Sequence, residues 1–223
     1  LAGRVADIHY LIPKYKLQIH AEHFQKVTHN LLGTKDSKIQ DIKTVRSHSQ
    51  AIGQCQKVIS ENKLKPIISA DTAGSAKFIS EKKDKSESAI ASELAAKIYN
   101  LKILKSEIED DKGNVTRFLI MGKETKHPEF KHKKYITSCI FTLKSIPAAL
   151  YKALGGFATN GVNLCKLESF AVKNSFDQVQ FYIEIERHIE DLPLQKALEE
   201  LGFHTQKLDI LGVYEAHQFR SKN

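Results

Sequence analysis

Cysteine is scarce in this 223-residue chain, and the three present, Cys55, Cys139 and Cys165, fall far apart in different expected elements. No paired spacing links them, which excludes a disulfide framework or a cysteine zinc site and leaves them as small hydrophobes in a reducing compartment. Long apolar runs are missing as well. Nothing approaches the roughly 18 to 20 apolar residues of a membrane span, and no charged-then-apolar leader opens the chain, so the cytoplasm is the expected location. Acidic residues are the minority charge, 26 against 34 Lys and Arg, for a formal net charge of +8. The lysines are nevertheless scattered over expected helix faces, with one run between Lys123 and Lys134 that reads as a solvated linker and not as a nucleic-acid groove. A general attraction for small anions is what the charge supports.

Ten histidines call for a metal check. The closest approach is His20-Ala21-Glu22-His23, where the period of a strand puts His20 and Glu22 on one face and His23 on the other. The three do not converge, and they are expected to be solvated strand residues. The stretch Asn114-Val115-Thr116-Arg117-Phe118 is more informative. It opens an apolar strand continuing through Leu119-Ile120-Met121, where an arginine has no packing role and calls for an anionic partner.

Between Ile39 and Val58 an apolar strand, Ile42-Lys43-Thr44-Val45, leads through Ser47-His48-Ser49-Gln50 into a helix with Ile52, Cys55, Val58 and Ile59 on one stripe. Ser47 or Ser49 is the expected N-cap. The pattern recurs as Pro66-Ile67-Ile68, Asp71-Thr72 and a helix from Ala73, then as Ser88 to Ala91, Ser92 and a helix from Glu93. Strands alternating with helices predict a mainly parallel sheet, with ligands at the carboxyl ends of strands and anions at helix N-termini. Beyond a polar stretch holding Pro128, Ile136 to Leu143 reads as a strand, and Ser145-Ile146-Pro147 as a helix start with a stripe of Ile146, Leu150, Leu154 and Phe157. Two strands, Val162 to Phe170 and Val179 to Ile185, follow. A helix opened by Asp191 and Pro193 and a last strand through Leu208, Ile210 and Val213 complete a βαββαβ order, the ferredoxin-like unit. Its open sheet edges predict pairing with a second copy, as a homodimer or tetramer.

With these segments laid out, the chain resembles prephenate dehydratase. The matching pieces are Ser47-His48-Ser49-Gln50-Ala51, Asp71-Thr72-Ala73-Gly74-Ser75-Ala76, Ala89-Ile90-Ala91-Ser92, and Glu109-Asp110 followed by Asn114-Val115-Thr116-Arg117-Phe118. A C-terminal ACT regulatory domain ending in Leu211-Gly212-Val213-Tyr214 follows them. The resemblance implies an α/β catalytic domain with two lobes, like the type II periplasmic binding proteins, joined to an α+β ferredoxin-like ACT domain. Residues 1–123 would be catalytic, with 1–24 and 108–123 in the first lobe and about 25–107 in the second. A linker at 124–134 and the ACT domain at 135–223 complete the division. In the family a further strand and a Glu-Asn-Ser motif precede this point, so the chain reads as an N-terminal truncation with an incomplete first lobe.

The activity implied is that of a lyase: prephenate loses carbon dioxide and water to give phenylpyruvate for phenylalanine biosynthesis. Aromatisation drives the reaction, and no cofactor or metal is implied. Carried onto this chain, Thr116 would assist the departing hydroxyl, Arg117 take a substrate carboxylate and Phe118 wall the ring. Ser47, His48, Gln50, Asp71, Thr72 and Asn114 would bind substrate. L-Phenylalanine would inhibit through the ACT domain, at Ala148, Ala149 and Leu150, where the family has Gly-Ala-Leu, and at Asn160, Gly161, Asn163 and Leu164. Glu168 and Ser169 would join them, although Phe170-Ala171 replaces the family's Arg-Pro. Alternatives are an arogenate dehydratase and a non-catalytic amino-acid sensor.

Overall fold

The computed structural model describes residues 8–144, 146–171 and 178–221. The chain divides into two compact units, one of Gln25–Thr116 and one of the segment ending at Phe24 together with that beginning at Arg117. In chain order, α1 (Ile8–Lys14) and β1 (Gln18–Lys26) come first. Next are β2 (Asn30–Gly33), β3 (Thr44–His48), α2 (Ser49–Gly53), α3 (Gln56–Glu61), β4 (Lys65–Ser69), α4 (Thr72–Lys82), β5 (Glu87–Ala91), α5 (Glu93–Ile98) and β6 (Lys102–Lys105). The remainder is β7 (Val115–Gly122), β8 (Tyr135–Leu143), α6 (Ala149–Thr159), β9 (Leu164–Ala171), β10 (Val179–Ile185), α7 (Leu192–His204) and β11 (Thr205–Glu215).

The first unit is a five-stranded sheet in the order β4-β3-β5-β2-β6. As the repeated strand and helix pattern predicts, β3 runs parallel to both β4 and β5. The short β2 is antiparallel to β5 and β6, so its first residues meet the carboxyl ends of β3, β4 and β5. Side-chain alternation splits the core. Leu31, Val45 and Ile90 pack with Ile52 and Val58 of α2 and α3, while Leu32, Ala89 and Ala91 pack with Ala76 and Ile79 of α4 and Ala95 of α5. The single helix expected through Ile52 and Ile59 is two helices broken at Cys55. The second has its own cap, because the Asp110 carboxylate accepts the amides of Gln56 at 2.8 Å and Lys57 at 3.1 Å.

In the second unit β8, α6, β9, β10, α7 and β11 form an antiparallel sheet in the order β11-β8-β10-β9, with the βαββαβ connectivity read from the sequence. One face packs Phe141, Phe181 and Ile183 against Ala153 and Phe157 of α6 and Leu194 and Leu201 of α7. Each fully buried Leu or Phe there contributes about 1.5–3 kcal/mol. The other face is not open. Ile136, Ile140, Tyr182 and Tyr214 pack beneath Ile12 of α1 and Ile19 of β1. β1 approaches so closely that a Cβ at Gly212 would overlap the Ile19 carbonyl.

This packing corrects several expectations. β1 and β7 pair with each other in a separate two-stranded sheet, and by compactness the segment ending at Phe24 and that from Arg117 group with the C-terminal strands and helices. The stretch 124–134 is not a free linker. Pro128 accepts from the His188 ring at 2.9 Å, Phe130 stacks on that ring, and the Tyr135 hydroxyl donates to Glu129 at 2.8 Å. α6 begins at Ala149, so Ile146 and Pro147 precede it, and the expected cap Ser145 lies outside the described residues.

Candidate functional site

The first unit holds a cleft of about 280 Å³ lined by Val27, His29, His48, Gln50, Ala51, Gln54, Ala70, Asp71, Thr72, Asn114 and Thr116. It sits where α/β sheets place ligands, at the carboxyl ends of β3 and β4, with the approach to reversed β2 opposite. Local chemistry explains each wall. His48, and neither serine beside it, caps α2, its Nδ1 accepting the Gln50 amide at 3.2 Å. That bond leaves the neutral ring with its proton on Nε2. Asp71 caps α4 by accepting the Gly74 amide at 2.5 Å, which leaves Thr72 at the first turn of an eleven-residue helix. Ser92 caps α5 as expected but is not part of the cleft lining.

A polar network forms the floor. The Gln54 side-chain carbonyl accepts from Asn114 Nδ2 at 3.0 Å and is 2.8 Å from His29 Nε2. The His29 backbone is held in turn, its amide donating to the Glu109 carboxylate at 2.9 Å and its carbonyl accepting from Ile108. Burial raises the Glu109 pKa, but the His29 amide and Lys112 hold it below the usual carboxylate value. The Gln54 backbone carbonyl accepts the Asp110 amide, so Glu109-Asp110 shapes the cleft floor without lining it. Among the described residues no group of three or more His, Cys, Asp or Glu side chains stands together as a metal site. No described helix is long and apolar enough to cross a membrane.

Six of the expected catalytic and substrate residues, His48, Gln50, Asp71, Thr72, Asn114 and Thr116, meet in this cleft, and three do not. Ser47 is fully buried, its hydroxyl donating to the Ile90 carbonyl at 2.7 Å, so it ties β3 to β5. Phe118 is 53% exposed on β7 and lines no part of the cleft. Arg117 alternates to the other face of β7 from Thr116 and is engaged inside the second unit. Its Nη1 donates to Glu184 at 2.6 Å and its Nη2 to the Tyr214 hydroxyl at 2.9 Å. Its Nε lies 2.7 Å from Glu22, an ion-pair contact off the N–H direction. A guanidinium committed to internal carboxylates is not free to clamp a substrate, which corrects the role expected of Arg117. Glu22, expected to be solvated, has a fully buried side chain for the same reason.

His29 and Gln54 were not foreseen. Gln54 lies four residues beyond Gln50 on the stretch already singled out, a spacing that returns a helical side chain to the same face, but His29 carried no such signal. In the second unit the expected effector residues fall in two places. Ala148, Ala149 and Leu150 stand at the start of α6, and Asn160, Gly161, Asn163 and Leu164 at its end, with Glu168 and Ser169 further along β9. Ala148 adopts φ +56°, a left-handed conformation that glycine takes without strain. Asn163 donates to Glu186 at 2.5 Å.

The family model described as prephenate dehydratase matches residues 1–126. A bifunctional N-acyl-homoserine lactone acylase/prephenate dehydratase of Komagataeibacter europaeus is 43% identical over 222 residues, covering 100% of this chain and 79% of that protein. Prephenate dehydratase of Methanocaldococcus jannaschii is 37% identical over 216 residues, 96% of this chain and 77% of the relative. The chain spans 58% of arogenate dehydratase 2 of Petunia hybrida, at 35% identity over 228 residues. The solved prephenate dehydratase of Arthrobacter aurescens in complex with L-Phe superposes with a TM-score of 0.82 at 28% identity, over 90% of this chain and 66% of that one. The chain belongs to the prephenate dehydratase family.

Proposed function

We propose that the cleft of the first unit is where this chain converts prephenate to phenylpyruvate. The ring carboxylate leaves as carbon dioxide, its bonding electrons enter the ring, and the opposite C–O bond breaks as hydroxide departs and takes up a proton. The observation that carries this reading is the convergence of six side chains from three separated segments on one cleft, with the exposed hydroxyl of Thr116 at its rim. Thr116 stabilises the departing oxygen by hydrogen bonding, and Asn114 and Gln54 form an oriented polar floor. His48 and His29, whose rings carry N–H groups in the cleft lining, are the side chains proposed to supply the proton. The N-terminal turn of α4, with Thr72, faces a substrate carboxylate.

A second reading has an observation of its own. Asp71 puts a carboxylate on the cleft wall, where it suits the ammonium that arogenate carries and prephenate lacks, and the Petunia relative is named for that substrate. The second unit we read as an ACT domain that binds L-phenylalanine at Ala148 to Leu150, Asn160 to Leu164, Glu168 and Ser169 in a homodimer. Its βαββαβ order and the L-Phe complex of the Arthrobacter relative support this.

The test is phenylpyruvate formation from prephenate, with arogenate compared on the same preparations, by the wild type and Thr116→Ala. Acylase activity, named for the Komagataeibacter relative, is assayed alongside. Loss of a single transition-state hydrogen bond predicts a fall of about 100-fold or more in kcat with little change in KM. L-Phenylalanine should inhibit both proteins' residual turnover. Equal kcat in the two proteins removes Thr116 from the reaction.

A further inference from the structure

The second unit holds a cavity of its own, of about 280 Å³, that the proposed reaction does not use. It lies where the start of β8, the turn after β10 and the end of β11 come together, and it shares no lining residue with the positions expected to take an effector. Its wall is aromatic. The Phe130 ring stacks on His188 at 5.0 Å with 7° between the planes, and Tyr135 meets His188 edge-on at 4.7 Å. His188 and Tyr135 are buried, whereas Phe130 is 47% exposed and keeps ring surface open for a further stack. The wall is also held in place. His188 Nε2 donates to the Pro128 carbonyl at 2.9 Å, and the Tyr135 hydroxyl donates to Glu129 at 2.8 Å while accepting the Lys131 amide at 3.1 Å. A wall fixed in this way has little ordering left to lose when a flat ring binds.

The charged and ring-nitrogen groups of the lining are committed, with one exception. His188 Nδ1 accepts the Glu190 amide at 3.2 Å. Arg187 donates to Asp191 at 2.8 Å and to the Gly161 carbonyl at 3.3 Å, Lys133 donates to Glu215 at 2.6 Å, and Glu186 accepts from Asn163. Arg220 is held by Glu22 and Glu184 in a buried charged cluster with Arg117. Of the charges lining the cavity, Lys134 alone has no ion pair or side-chain hydrogen bond among the described residues. Four cationic side chains, Lys133, Lys134, Arg187 and Arg220, stand against the two carboxylates of Glu186 and Asp191, so the local field favours an anion. We infer that this cavity binds an aromatic monocarboxylate, its ring stacked on Phe130 and its carboxylate paired with the Lys134 ammonium. The volume suits one ring with a short acid chain, smaller than a drug-sized ligand. Phenylpyruvate and L-phenylalanine are two sources of that chemistry.

The probe is 3-phenylpropanoate, which carries the ring and the carboxylate but neither a keto nor an amino group. Its binding to the full chain is measured by calorimetry and by the His188 ring signals in NMR, for wild type, Lys134→Gln, Phe130→Leu and Thr116→Ala, with thermal melts to confirm folding. Lys134 and Phe130 are both exposed, so neither substitution removes a core side chain. Binding should move the His188 signals, weaken about tenfold in Lys134→Gln and about three- to tenfold in Phe130→Leu, and be unchanged in Thr116→Ala. Competition then identifies the source. Displacement of the probe by phenylpyruvate, or by L-phenylalanine, with the competitor showing the same dependence on Lys134, supports the site and names its ligand. No saturable binding at millimolar probe overturns the inference. Binding that either Lys134→Gln or Phe130→Leu leaves at wild-type strength overturns it too, because the probe then sits in the cleft of the first unit or at the expected effector positions. Loss of phenylpyruvate formation in Thr116→Ala is a separate result, which bears on the cleft and not on this cavity.

Discussion

Replacing Glu22 by glutamine should destabilise the second unit more than a typical single substitution. The carboxylate accepts from the His217 amide at 2.9 Å and from two nitrogens of Arg220, and it faces Arg117 Nε at 2.7 Å. In Glu22→Gln one negative charge is lost, so Arg117 and Arg220 share Glu184 alone, and an amide NH₂ can point at a cation. Breaking one partner of a buried ion pair costs about 3–5 kcal/mol. Both guanidiniums keep 19% side-chain exposure, so water offsets part of this and the lower end applies, about 3 kcal/mol.

Because the chain has two units, a single global unfolding curve is not the right measurement. Amide hydrogen exchange of the central strand β8 reports the second unit directly, and its protection should fall by about two orders of magnitude at 3 kcal/mol. Urea unfolding followed by the same amides should shift its midpoint by about 1 to 2 M with the slope unchanged. The paired substitution Glu22→Leu with Arg220→Met leaves a balanced Arg117 and Glu184, so it should lie closer to wild type than Glu22→Gln does. If Glu22→Gln stays within about 0.5 kcal/mol of wild type, the cluster is not carrying an uncompensated charge and the reasoning fails.

Gly212→Ala should cost about 1–3 kcal/mol in the same exchange measurement, because the added methyl meets the Ile19 backbone and must lift β1 from the sheet; unchanged protection would mean that the approach is looser than the packing implies. Acid should act through the cluster. Burial raises the pKa of Glu22 and of Glu184, but the bonds from Arg220 and Arg117 outweigh it and both fall below the ordinary 4.5. Their stabilisation is therefore complete above pH 4.5 and is lost as pH falls through the folded values. A pH titration of β8 exchange should show this loss in wild type and a weaker one in the paired Glu22→Leu, Arg220→Met protein. An identical acid limb in both would place the acid sensitivity elsewhere.

Much of this architecture is legible along the chain because its signals are local. Asp71 and Ser92 are short polar side chains followed by helix formers, and each caps the helix that follows it. The alternation of Val179 to Ile185 marks a strand whatever it packs against. The errors come where a partner from a distant segment decides the outcome. Ser47 looks like a cap from its neighbours, yet β5 offers the Ile90 carbonyl, and His48 takes the cap. The Ile52 to Ile59 stripe reads as one helix until Asp110, more than 50 residues away, supplies a cap for its second half.

Arg117 is the sharpest case, since the sequence correctly demands an anionic partner for an arginine in an apolar strand and is silent about where the anion lies. A substrate carboxylate and a buried glutamate satisfy the same demand. The choice between them rests on residues 95 positions upstream, 67 positions downstream and 103 positions downstream, at Glu22, Glu184 and Arg220, none of which announces itself by pattern. Glu22 even appears in a polar run that looks solvated. Once those partners are in place the demand is met inside the protein, and of the motif it is the adjacent exposed Thr116 that lines the cleft and to which the proposed chemistry is given. The motif thus divides at successive residues, Thr116 lining the cleft of the first unit and Arg117 committed to carboxylates within the second.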